Sequence, residues 1–226
     1  MKILSIDTSS DVCSVAILED MRLINELNIV DSKTHSENLM PLVDQIFTTS
    51  SLSLPDMDMI VINIGPGSFT GIRIGVSTVK ALGEVTKVPV IAVSSLDGLS
   101  FNETHSGIIC SLIDCRNNNT YCGIYNSDHV LQEEYLAEHI DDTISILSKY
   151  DDILFIGTGA VLHKELLKEK LQDKKIFFSE KNVQSAFSLG KCGYTKYIAG
   201  IKQSADSVNP MYLRKSQAER LKKKDE

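Results

Sequence analysis

The sequence predicts an α/β fold of two related lobes, and three observations carry that prediction. Short apolar runs alternate with stretches of helical period along the whole chain. Three strands open it in close succession, as an antiparallel meander does and a set of parallel crossovers does not. The order strand, aspartate, polar turn, strand then occurs twice. Ile3-Leu-Ser-Ile6 runs into Asp7, turns through Thr8-Ser-Ser-Asp11 and resumes at Val12. Ile108-Ile-Cys-Ser-Leu-Ile113 runs into Asp114, turns through Cys115-Arg-Asn-Asn-Asn119 and resumes at Thr120. This recurrence points to an internal duplication.

Residues 2–6, 12–18 and 22–30 read as the opening strands, with a turn at Glu19-Asp20. Leu39, Val43, Ile46 and Phe47 recur at helical spacing, predicting a helix over 36–50 that tolerates Pro41 in its first turns. A strand over 59–64, a helix over 70–86 and a strand over 89–93 follow, and Ser94 or Ser95 caps a short helix towards Phe101. In the second half, 108–113 and 120–125 are strands. Residues 153–156 form another, leading through Gly157-Thr-Gly159 into a helix over 160–169. A short strand over 176–178 and a last helix over 184–201 complete the reading. The lobe boundary falls near 103–107, giving a first lobe of 1–105 and a second of 106–226. Whether the last helix returns to the first lobe is open at this level.

A chain of 226 residues can bury one large core or two smaller ones. Its net charge of −7 argues against a broad nucleic-acid surface, because phosphate binding needs clustered cations. Only the tail from Arg214 to Lys224 is locally basic, and it reads as a solvated end. The five cysteines are scattered, with no Cys-x-x-Cys pair, so reduced buried thiols are expected in place of a disulfide framework or a zinc site. No basic leader with a long apolar core precedes the first strand, and no apolar run approaches the length of a membrane span, so the expected compartment is the cytoplasm.

The most informative run is Gly65-Pro-Gly-Ser-Phe-Thr-Gly-Ile-Arg-Ile-Gly75, between a strand and a helix. Its glycines permit close backbone approach, and Ser68 or Thr70 can cap the helix. It lacks the lysine of a phosphate loop, and its spacing does not match a dinucleotide fingerprint, so spacing alone favours helix packing over nucleotide binding. The histidines His35, His105, His129, His139 and His163 show no metal-ligand spacing, and no nucleophile–base set is legible. His35, just before a helix, is expected to hydrogen-bond a backbone carbonyl. Both first-lobe helices carry more apolar surface than one sheet needs. The second has two stripes, one through Ile72, Val76 and Val79 and one through Ile74, Ala81 and Val85, with small residues such as Gly75 between them. The first adds Met40 and Phe47 to Leu39 and Val43. Leu39, Met40, Val43, Phe47, Ile72, Gly75, Val76, Val79 and Ala81 are therefore the candidate partner surface, with the outward stripe unassigned.

The glycine run resembles the signature of the TsaB (YeaZ) family of bacterial tRNA threonylcarbamoyladenosine formation. So do Ile3-Leu-Ser-Ile-Asp-Thr-Ser9, His35 and Pro210-Met-Tyr-Leu-Arg214, so that the resemblance spans the chain. It implies two ribonuclease-H-like lobes of the actin, Hsp70 and sugar-kinase architecture. In nucleotide-binding relatives of that fold the aspartate matching Asp7 holds Mg²⁺, which makes Asp7, Thr8 and Ser9 a vestigial nucleotide contact here. In the sister family TsaD a His-x-x-x-His pair holds a metal. Ser95 and Leu99 take those positions, which implies neither metal nor required cofactor. The resemblance further implies a non-catalytic subunit that pairs with TsaD through the first-lobe helices, is joined by the ATPase TsaE, meets tRNA through the complex, and can self-dimerise through the same surface. The alternative from another class is an ATP-dependent phosphotransferase or ATPase, with Asp7 and Asp114 flanking the inter-lobe cleft.

Overall fold

Side chains alternate across a strand, and in the first strand that alternation sets the layers. In the computed structural model, which describes residues 1–30 and 35–214, Leu4 and Ile6 of β1 (Lys2–Asp7) face one hydrophobic core and Ile3 faces another. β1 is central in a five-stranded sheet of order β3-β2-β1-β4-β5, with β2 at Val12–Glu19, β3 at Arg22–Val30, β4 at Met59–Asn63 and β5 at Val90–Val93. β1, β2 and β3 pair antiparallel, whereas β4 and β5 add in parallel, so both faces must be covered. Helices α1 (His35–Ser50) and α2 (Phe69–Thr86) cover one face. The short α3 (Ser95–Ser100) follows β5 and leads to the second lobe.

The second sheet has the order β10-β9-β6-β7-β8, built from β6 (Ile108–Asp114), β7 (Asn119–Tyr125), β8 (Leu136–His139), β9 (Asp152–Ile156) and β10 (Lys175–Phe178). Its pairing repeats the first sheet strand for strand: β6, β7 and β8 antiparallel, β9 and β10 parallel. The duplication suggested by the two aspartate turns is thus a duplication of topology. β8 and the following α4 (Ile140–Leu147) were not legible in the sequence, and they complete the match. The single helix expected over 160–169 is two, α5 (Thr158–Leu162) and α6 (Lys164–Lys170), broken at His163, whose backbone leaves helical geometry at φ −100°.

The last helix, α7 (Ala186–Ile198), does not stay with the second lobe. Ala186, Leu189 and Cys192 join Ile3, Leu18, Val61 and Val93 in a core on the face of the first sheet opposite α1 and α2. Gly190 and Gly193 allow that contact: a Cβ on Gly193 would lie 2.4 Å from Val61 Cγ2, and one on Gly190 2.6 Å from Leu18 Cδ1. Glu26 of β3 holds the helix start, accepting from Ser185 Oγ at 2.8 Å and Phe187 N at 2.9 Å, where a negative charge also complements the helix dipole. The point left open by the sequence, whether the last helix returns, is thus answered: α7 packs on the first lobe, and the chain after it runs along that lobe before Leu213 and Arg214 reach the second. The two lobes meet where Leu96 and Leu99 of α3 bury against Ile109, Ile113, Tyr125 and Ile156. Among the described residues no helix is long and apolar enough to cross a membrane. Past Arg214, the basic tail lies outside the described residues.

Candidate functional site

The glycine run folds as a clasp on the first hairpin turn. Ser68 caps α2 by accepting from Gly71 N, and its own N–H donates to Ser9 O at 2.7 Å. Thr8 Oγ1 donates to Gly71 O at 2.7 Å. There is no room for side chains at this contact: a Cβ on Gly67 would stand 2.1 Å from Ser9 O, and one on Gly71 2.1 Å from Thr8 O. A Cβ on Gly75 would meet Thr8 Oγ1 at 2.4 Å. Glycine is required here because helix α2 lies against the hairpin backbone.

Beneath the clasp, Asp7 is buried and its carboxylate is fully engaged. Ser9 donates through N and Oγ to Asp7 Oδ1 at 2.8 and 2.7 Å, and Asn63 Nδ2 donates to Oδ2 at 2.7 Å. Asn63 Oδ1 accepts from Gly65 N and Ser95 Oγ, both at 2.8 Å. Burial pushes the Asp7 carboxyl above its ordinary range, against the pull of its Ser9 and Asn63 donors and of nearby His35. His35 Nε2 lies 2.7 Å from Ser10 O, so the histidine pins the same turn as expected. Asp7, Thr8 and Ser9 are at most 2% exposed. Their side chains hold loop to hairpin, which corrects the expectation of a vestigial nucleotide contact at these residues.

The second lobe differs at the equivalent turn. Asp114 Oδ1 accepts from Arg116 N at 3.0 Å, and Arg116, Asn117 and Asn118 all have positive φ. Gly157, at φ 109°, is fitted against Leu112 O, 2.4 Å from where its Cβ would be. The residues at the sister family's metal positions do not fit a metal. Ser95 is tied to Asn63, and Leu99 is 1% exposed in the core between the lobes. Among the described residues no group of three or more His, Cys, Asp or Glu could hold a metal ion.

Burial assigns the two stripes of α2. Ile72, Gly75, Val76 and Val79 are buried, Val79 completely, and face β1 and β4 together with Leu39 and Val43 of α1. Phe47 is half-buried against the same core. As direct partner contacts these seven are corrected, since the first-lobe core already uses them. Met40, 49% exposed, and Ala81 do face solvent. Around Ala81 the outer stripe of α2 runs through exposed Thr70, Ser77 and Val85 and half-buried Thr78, while Ile74 is half-buried against the first-lobe core. The bulkier stripe is the one needed to cover the sheet, which leaves the smaller one outward.

Two constellations had no contacts legible in the sequence, although the second contains the Pro210-Met-Tyr-Leu-Arg214 motif. The first is centred on Asp97 of α3, whose Oδ1 accepts from Tyr125 Oη at 2.8 Å and Tyr135 Oη at 2.6 Å while Lys196 Nζ of α7 donates to Oδ2 at 2.6 Å. Its members come from four separate parts of the chain. The second is a strap after α7. Gln203 pairs with Val90 at the sheet edge, Ala205 packs on Gly83, and Met211 N donates to Ile64 O at 2.7 Å. Tyr212 Oη accepts from Arg73 Nε at 2.9 Å, and Arg214 Nη2 donates to Asn119 Oδ1 at 3.0 Å. The Pro210-Met-Tyr-Leu-Arg214 motif thus ties α2 to the β6–β7 turn across the lobes.

Comparison with known proteins agrees with this geometry. The family model described as TsaD, tRNA N6-adenosine threonylcarbamoyltransferase, matches residues 29–222. The chain is 31% identical to the tRNA threonylcarbamoyladenosine biosynthesis protein TsaB of Bacillus subtilis, over 97% of this chain and 96% of that one. The solved structure of YeaZ from Pseudomonas aeruginosa superposes with a TM-score of 0.79 at 25% identity, covering 94% of this chain and 99% of that one. A ROK hexokinase from Thermus thermophilus shares the fold alone, with a TM-score of 0.58 at 11% identity over 88% of this chain and 100% of that one.

Proposed function

Because this chain belongs to the TsaB (YeaZ) family of tRNA threonylcarbamoyladenosine biosynthesis proteins, we propose that it serves that modification as a non-catalytic subunit. In this reading it binds and organises TsaD, which transfers the threonylcarbamoyl group to N6 of adenosine 37 in tRNAs reading codons that begin with A. The ATPase TsaE joins the pair. The observation that carries the reading is the outer stripe of α2. A helix packed on a sheet needs only its inner face, and this one also exposes Thr70, Ser77, Ala81 and Val85, while α1 exposes Met40. Small residues there let another helix approach closely, as packing of ridges into grooves requires. The same patch, self-complementary, supports a two-fold homodimer in the absence of the partner. The closed hydrogen bonding around Asp7 and the substitution of Ser95 and Leu99 at the metal positions are consistent with a chain that organises chemistry performed by its partner.

Depleting the protein in its own cells and measuring threonylcarbamoyladenosine in bulk tRNA tests this reading. Loss of the modification, restored by re-expression, supports it. Undiminished modification in depleted cells overturns it.

A further inference from the structure

One rim of this acidic protein is basic and aromatic. The chain has only five arginines, and three of them lie along the strap that crosses between the lobes: Arg73 on α2, Arg214 on the strap itself and Arg116 on the β6–β7 turn where Arg214 is bound. The connection is short. Tyr212 bonds Arg73 of α2, and two residues later Arg214 lies on the turn that carries Arg116, with its guanidinium 3.0 Å from Asn119 Oδ1 and 3.5 Å from Cys115 Sγ. Two residues of chain span at most about 7 Å.

The three arginines keep their charge unneutralised, although Arg73 and Arg214 each donate to a neutral partner. Among the described residues no carboxylate lies within ion-pair distance of any of them, and Arg116 is exposed with no side-chain partner. Asp114, the nearest acid along the turn, accepts from Arg116 N. Arg73 Cζ sits 3.8 Å from the centroid of the Phe69 ring, and that ring is 4.7 Å from Tyr212. Phe69 and Tyr212 are 39% and 44% exposed, unusual for aromatic side chains with a core available. The sequence leaving this rim after Arg214 carries Lys215, Arg220, Lys222, Lys223 and Lys224 against three acids, Glu219, Asp225 and Glu226.

We propose that this rim, formed by Phe69, Arg73, Arg116, Tyr212 and Arg214, is a contact surface for single-stranded RNA, the loop of the tRNA to be modified. The inference rests on the reading of the chain as a tRNA-modification subunit and adds a direct RNA contact to it. Exposed rings and guanidinium planes stack unpaired bases, and arginines without an acidic partner bind phosphates, so the two side-chain types together match a looped strand better than a duplex. A rim of this size also accords with the net charge of −7, which excludes a broad nucleic-acid face but not a focused one.

The test uses the full chain with a fluorescently labelled 17-nucleotide anticodon stem-loop as probe, read by anisotropy from low to physiological salt, with TsaD pairing measured on the same samples. Arg116→Glu should weaken RNA binding about tenfold at low salt and flatten the log–log salt dependence by about 0.7 per cation removed. Phe69→Ala should weaken it about fivefold to tenfold with the salt slope unchanged. Both variants should pair with TsaD as the wild type does. Wild-type RNA affinity in both variants overturns the proposal. Unchanged RNA affinity with TsaD pairing lost also overturns it, and assigns the rim to a protein partner. A wild-type chain that binds the stem-loop through these residues yet fails to pair with TsaD leaves the rim standing and removes the subunit reading, so the two failures are distinguishable.

Discussion

Lys196 Nζ lies 2.6 Å from Asp97 Oδ2, joining the helix that returns to the first lobe to the helix at the lobe junction. Asp97 is 8% exposed and Lys196 30%. Burial alone would push the Asp97 carboxyl up; the Lys196 ammonium and the donors Lys196, Tyr135 and Tyr125 outweigh it and hold the group below its ordinary value. A depressed carboxylate stabilises the fold above its unfolded value, near 4, and loses that contribution as pH falls through the lower folded value. Asp97→Asn should therefore cost about 3 kcal/mol at pH 7, by leaving a largely buried ammonium unpaired. The gap from wild type should narrow progressively below about pH 4, where the wild-type carboxyl takes up its proton. Urea midpoints of both proteins from pH 7 to pH 3 check this, and a gap constant with pH would refute it.

The clasp makes a steric prediction. Gly71→Ala places a Cβ 2.1 Å from Thr8 O and 2.8 Å from His35 Cδ2, with backbone on one side and a pinned ring on the other. It should destabilise the protein by about 2–3 kcal/mol. Ser77→Ala, on the exposed face of the same helix, should stay within about 0.5 kcal/mol of wild type. Equal thermal midpoints for the two variants would mean that the loop does not bear on the hairpin.

Much of this arrangement could be read from the sequence, for reasons visible in particular residues. β1, β4 and β6 are apolar runs that read directly as buried strands, and the two aspartate turns disclosed the duplication. β8 escaped notice because Leu136-Ala-Glu-His139 has neither an apolar run nor a clean alternation. The break at His163 escaped because no glycine or proline marks it. The Asp97 network was invisible because its partners at 125, 135 and 196 are brought together only by tertiary folding. The outward stripe of α2 could not be chosen from periodicity, since both stripes lack strong polarity.

The thiols give a further prediction. Cys13, Cys110, Cys122 and Cys192 are buried, and burial pushes the Cys13 thiol up to about 11 and the Cys192 thiol up to about 12. Cys115, half-buried on the β6–β7 turn, is the accessible one. A disulfide reagent at pH 8 should modify at most this thiol rapidly in the native protein and all five only after unfolding, and Cys115→Ser should abolish the fast phase. Two or more fast thiols would contradict the packing described.

If α2 docks TsaD as proposed, its Ala81 stripe faces the partner while its Val79 stripe faces the sheet. Residues two apart on a helix point to nearly opposite sides, and Val79 is fully buried while Ala81 is exposed. Val79→Glu would force a charge into the first-lobe core and should unfold the protein. Ala81→Glu should leave circular dichroism and thermal midpoint near wild type. The direct measurement is titration of purified TsaD with the Ala81→Glu protein by calorimetry, against wild type. The account predicts a folded variant whose affinity for TsaD falls at least a hundredfold, because a charge stranded in a desolvated helix contact costs about 3 kcal/mol or more. A folded Ala81→Glu protein that binds TsaD with wild-type affinity would contradict it.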